Sequence, residues 1–75
     1  MIDYNKIKSM NVGDSVLLLD GVVFIIAGQF DDSILIYSQD TREMFFIFDY
    51  PKGRNHGTLV KLTDDDGNDF IWEGE

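Results

Sequence analysis

Two apolar runs hinged on one Asp-Gly pair constrain this chain more than any other feature. Residues 16–19 and 22–27 are uninterrupted hydrophobic stretches, and Asp20-Gly21 lies between them. Asp-Gly suits a turn whose central residues both need positive φ, so the sequence predicts a hairpin closed by two residues. That turn sets a register: Leu19 opposite Val22, Leu18 opposite Val23, Leu17 opposite Phe24, and Val16 opposite Ile25. One face then carries Val16, Leu18, Val23, Ile25 and Ala27, and the other carries Leu17, Leu19, Val22, Phe24 and Ile26. Neither face can rest comfortably in water, so each needs a cover.

The rest of the chain repeats this economy. In residues 1–10, Asp3 is placed to cap a short helical turn, with Ile2, Ile7 and Met10 along one stripe. Ten residues rarely hold a longer helix unaided. Polar turns at 30–33 and 38–42 bracket a third strand at 34–37. Residues 43–48 read as a fourth strand, with Met44, Phe46 and Phe48 on one face and Phe45 and Ile47 on the other. Proline cannot donate to a ladder, so Tyr50-Pro51 ends it. A loop at 52–57, a fifth strand at 58–62, an acidic turn at 63–69 and a closing strand at 70–72 complete the pattern. Five to six short strands in 75 residues predict a single all-β domain over 1–75. Its form is a small barrel or a strongly curled antiparallel sheet with a short N-terminal helical turn.

Val12-Gly13-Asp14-Ser15-Val16, followed by Asp20-Gly21 and an apolar strand, resembles the opening of SH3-like barrels, including the Tudor and KOW types. The resemblance covers residues 10–28 and implies a fold, not a function. The short, acidic chain is also similar in style to accessory proteins that bacteriophages encode against host machinery. That likeness implies a modulator or inhibitor of a host enzyme or nucleic-acid-binding protein, at work in the host cytoplasm.

Charge narrows the function classes. The net charge is −8, and residues 63–75 carry six acids and no base. Such a surface repels nucleic acid and anionic membranes and attracts a basic partner. No apolar run is long enough to span a bilayer, and residues 1–10 lack the apolar core of a signal peptide, so a cytoplasmic protein is expected. With no cysteine and one histidine, neither a thiolate site nor a transition-metal site is expected, and no cofactor is called for.

Four groups of side chains invite a chemical reading. Asp64, Asp66 and Asn68 stand at the 1, 3, 5 spacing of a calcium loop, but Asp69 occupies the glycine position and the twelfth ligand would be Glu75. An acidic hairpin turn is the simpler reading, and no metal site is assigned. His56 lies between glycines with no nucleophile or carboxylate arranged beside it, so no catalytic residue and no enzymatic activity are expected. Tyr50, Lys52, Arg54 and His56 are the one place suited to phosphate or a base, the basis of an alternative reading as a nucleic-acid or small-ligand binding barrel. Asp64, Asp65, Asp66, Asp69, Phe70, Trp72 and Glu73 combine carboxylates with aromatic anchors, which suits docking to a basic protein surface. Trp72 has a simpler role too, as the plug of a closing strand. The expectation is a non-enzymatic protein-binding module. The second apolar face adds a homodimer, through Leu17, Leu19, Val22, Phe24 and Ile26, and with it a further alternative, a self-assembling structural subunit.

Overall fold

The computed structural model describes residues 2–73, without the side chain of Leu19. Gly74 and Glu75, and with Glu75 the twelfth position of the calcium-loop spacing, lie outside that range. Six antiparallel strands form one strongly curled sheet, a half-barrel compatible with an SH3-like fold. The strands are β1 (Ile2–Asp3), β2 (Ser15–Leu17), β3 (Val23–Gln29), β4 (Ser33–Ser38), β5 (Met44–Asp49) and β6 (His56–Lys61), with one helix, α1 (Tyr4–Lys8). Their order across the sheet is β1-β6-β5-β4-β3-β2, so β1 and β2 are its two edges.

The opening hairpin forms with one more residue in its turn than expected. Asp20 and Gly21 both have positive φ, 61° and 74°, as Asp-Gly favours. The loop, however, spans Leu19–Gly21, and Leu18 N–H donates to the Val22 carbonyl. Ser15 therefore pairs with Ile25, Val16 with Phe24, and Leu17 with Val23. A one-residue change of register moves a whole strand to the opposite face. Val16, Leu18 and Val22 join Phe24 and Ile26 on the inner face, and Leu17 turns outward at 67% exposure. The predicted dimer face is thereby divided: Phe24 and Ile26 belong to the core and Leu17 looks into solvent, while the side chain of Leu19 lies outside what the structure describes.

At its start β2 is set by a second device. Asp14 N–H donates to the Asn11 carbonyl, closing a turn whose third residue, Gly13, has φ +99°. Gly13 N–H then donates to Ile26, and Ile26 N–H to Asp14, the pattern of a glycine-first bulge. A further irregularity in β3 between Ile26 and Gly28 keeps Ile26 opposite Ile36 while Gln29 meets Ile34.

The inner face holds the core: Phe24, Ile26, Ile34, Ile36 and Ile47, closed over by Ile2, Tyr4 and Ile7. Phe24 and Phe45 meet edge to face, with ring centroids 5.6 Å apart. Asp3 caps α1 as expected, accepting from Lys6 N–H at 3.1 Å. Asn55 braces the same cap, donating to the Asp3 carboxylate at 2.8 Å and accepting from Asn5 N–H at 2.6 Å. Asn55 first, and the Lys6 amide after it, hold the Asp3 carboxyl below its ordinary value.

The N-terminal helical turn forms as predicted, but the sixth strand lies at the other end of the chain from the one expected. The sixth strand is β1, beside β6, whereas residues 70–72 make only a bridge from Ile71 to Glu43. His56 and Gly57, read as loop, are the first residues of β6 and pair with Asp3 and Ile2. Among the described residues no helix is long and apolar enough to cross a membrane.

Candidate protein-binding surface

The acidic segment is an excursion from β6. Thr63 and Asp69 face each other across a short hairpin, and Asp64 N–H donates to the Asn68 carbonyl at 2.9 Å. Gly67 takes the positive φ the turn requires, 84°. The Asp64 carboxylate accepts from the backbone N–H groups of Asp66 and Asn68, both at 2.9 Å. That carboxylate serves its own loop, in the manner of an Asx turn. Among the described residues no group of three or more His, Cys, Asp or Glu is positioned to hold a metal ion.

Past the hairpin, the chain resumes beside β5. Phe70 N–H donates to the Leu62 carbonyl, and Trp72 N–H to the Arg42 carbonyl at 2.7 Å. The Arg42 guanidinium returns a hydrogen bond to the Trp72 carbonyl. Lys61 pins the hairpin's base, 3.1 Å from Glu43 and 3.4 Å from Asp69. Its ammonium, ahead of hydrogen bonding with Asp69 and Thr41, holds the Glu43 carboxyl below the usual carboxylate range. Asp69 is thus part of the brace.

Trp72 does not plug the barrel. Its indole stacks on Tyr37 with centroids 5.0 Å apart and an interplanar angle of 13°. Tyr37 pairs with Met44, so the stack covers the outer face at one end of the sheet, where Met44 is buried. Phe30 covers the other end: its ring meets Phe46 at 6.2 Å and approaches Gly28, where a Cβ would lie 3.5 Å from it. These two returning aromatics cover the outer face of β4 and β5. Phe48 and Val60 remain partly open beside them.

Solvent is left with Asp65, Asp66 and Glu73, all exposed, together with Phe70 and Ile71 at 47% and 46% exposure. The aromatic anchors therefore divide: Phe70 is presented and Trp72 is half-buried as a support. Ile71 joins the presented set, so the segment is open on both sides.

The alternative site is less available. Lys52 lies 2.9 Å from Asp32, whose carboxylate raises the lysine's pKa, so that charge is already matched. Tyr50 is exposed, its carbonyl accepting from the Thr58 hydroxyl, and Arg54 and His56 are exposed on the loop and at the start of β6. The four residues are near one another in sequence.

Comparison with family models, with curated proteins and with solved structures finds no match to this chain.

Proposed function

We propose that the protein is a non-catalytic binding module that docks a basic protein surface through its C-terminal hairpin. The observation that supports this reading is the pairing of exposed carboxylates with exposed apolar side chains on one braced segment. Asp65, Asp66 and Glu73 are exposed, Phe70 and Ile71 are about half exposed, and Lys61 and the Tyr37–Trp72 stack secure the segment to the sheet. Carboxylates steer a cationic partner and reject polyanions, while a desolvated aromatic supplies most of the affinity. A partner whose basic groove ordinarily takes a polyanion fits this chemistry, and occupying that groove would inhibit it.

The test is affinity capture with two variants beside the wild type, Asp65→Lys/Asp66→Lys and Phe70→Ala/Ile71→Ala. Basic proteins retained by the wild type should elute as salt rises and should be lost from both variants. Equal retention by the variants would show that the hairpin is only solubilising. In parallel, DNA and RNA should not bind near physiological salt. Micromolar binding with a steep salt slope would replace this reading with the alternative one.

A further inference from the structure

The half-barrel leaves a seam between its edge strands β1 and β2, and the main chain there is specific about what can fill it. Gly13 and Asp14 bond with Ile26, and Leu18 bonds with Val22. In an antiparallel ladder bonded pairs alternate, so Val16–Phe24 is the bonded pair between them. The N–H and C=O groups of Ser15 and Leu17 consequently point away from β3, into the seam. Among the described residues none bonds to them there.

A groove of about 270 Å3 adjoins this edge, walled by Ile2, Ile7, Met10, Val16, Leu17 and Leu18, with Asp3 and Lys6 beside them. Ligand pockets run from about 300 to 1,000 Å3, so this one suits a side chain or two rather than a cofactor. Natural sheet edges are usually blunted by lysine, proline or a covering element. Ser15-Val16-Leu17 is blunted by its short length and by the bulge at Gly13 but carries no lysine or proline, and Leu17 is openly exposed.

We infer that the seam receives an extended strand from a partner protein, which adds to β2 and places an apolar side chain in the groove. The inference rests on the protein-binding reading above. Only an extended chain matches the repeat of outward groups at Ser15 and Leu17. Residues directly opposed across a ladder share a face, so the residue set against Val16 projects inward, toward the groove. Charge selects the occupant: Asp14 and Asp20 flank β2 and Asp3 lines the groove, against Lys6 on the same wall, an acidic excess that favours lysine or arginine on the incoming strand. A second copy of this chain would bring its own net charge of −8, and is disfavoured.

The experiment is an NMR titration of the full chain with the blocked peptide KVKLKVK, whose apolar residues alternate, against its scramble KKVLVKK. The alternating peptide should slow amide exchange at Ser15 and Leu17 by about tenfold at saturation. It should also shift Ile2, Ile7 and Met10, and the scramble should do neither. Ser15→Pro deletes an outward N–H at the first position of an edge strand, a site that tolerates proline. It should weaken binding about tenfold or more, with Ser15→Ala unchanged. Should the proline variant fail to fold, exchange at Ser15 and Leu17 in the wild type decides alone. Equal shifts from both peptides confined to residues 64–73 would overturn the strand-addition inference and leave the acidic hairpin reading standing. No response at the seam from either peptide at about 1 mM, a concentration that detects weak complexes, would overturn it as well.

Discussion

Among the described glycines, Gly57 is the one where an added methyl group meets the closest contacts. A Cβ built there would lie 2.6 Å from Ile47 Cγ2 and 2.9 Å from Ile2 Cγ2. Both atoms belong to β-branched side chains, Ile47 is fully buried, and neither can swing aside. Gly57→Ala should therefore cost about 1–3 kcal/mol, the usual penalty for overpacking, read as a lower denaturant midpoint. An unchanged midpoint would mean that β1 does not pack on β6 as described. Tyr4 offers the opposite case. It is 4% exposed, its hydroxyl has no hydrogen-bond partner among the described residues, and burial raises its pKa. Leaving a buried hydroxyl unpaired costs on the order of 1–3 kcal/mol, so Tyr4→Phe should stabilise the fold. A loss of stability in that variant would show that the hydroxyl is bonded in solution. The two residues differ in how far the sequence announces them. Asp3 and the Ile2, Ile7, Met10 stripe follow from capping and period, whereas Gly57 sits beside His56 in a run of loop-forming residues. Nothing local separates a glycine needed for space from one needed for a turn.

Among the elements, the hairpin shows where local chemistry stops short. The positive φ values of Asp20 and Gly21 were legible, because backbone sterics impose them locally. The loop length was not, since runs apolar on both faces fit a two-residue or a three-residue turn equally well. What decides is the sheet beyond: Val16 and Phe24 must share a face to meet Ile36 and Phe45 across the core. The two registers disagree about one pair of variants. A two-residue turn puts Leu17 and Phe24 on the same face, and the observed turn puts them on opposite faces. Leu17→Asp should change stability by no more than about 0.5 kcal/mol, as an exposed substitution, while Phe24→Asp should abolish folding. Circular dichroism of both decides it; two folded variants, or two unfolded ones, would reject the observed register. The outer positions Met44, Phe46 and Phe48 of β5 were legible in their alternation, yet their covers were not. Phe30 and Trp72 return to them from a turn and from an acidic segment, through contacts that no window of sequence contains.

At the scale of the whole molecule, acid is spread against the interest of folding. With 14 carboxylates and six bases, bringing the chain together concentrates like charge, and net charge destabilises the compact state. Some acids recover part of that cost locally: Asp3 caps α1, Asp32 pairs with Lys52, and Glu43 and Asp69 share Lys61. Asp65 and Asp66 are different. Both are exposed at the tip of the hairpin, and among the described residues neither carboxylate has an ion-pair partner. They repel Asp64 and each other without closing the turn, which the Asp64 carboxylate and Gly67 already do. Neutralising them as Asp65→Asn/Asp66→Asn should therefore raise Tm by about 1–3 °C at low salt, the shift that a few tenths of a kcal/mol produces in a domain of this size. The gain should disappear near 1 M salt, where the screening length falls to about 3 Å, shorter than the spacing of neighbouring carboxylates. Calorimetry across a salt series gives both quantities. A variant that melts lower, or a gain that survives high salt, would show that the two acids hold the hairpin together. A gain that salt removes identifies them as charges whose use lies outside the fold, and the same variant should then lose the basic partner that the hairpin is proposed to hold.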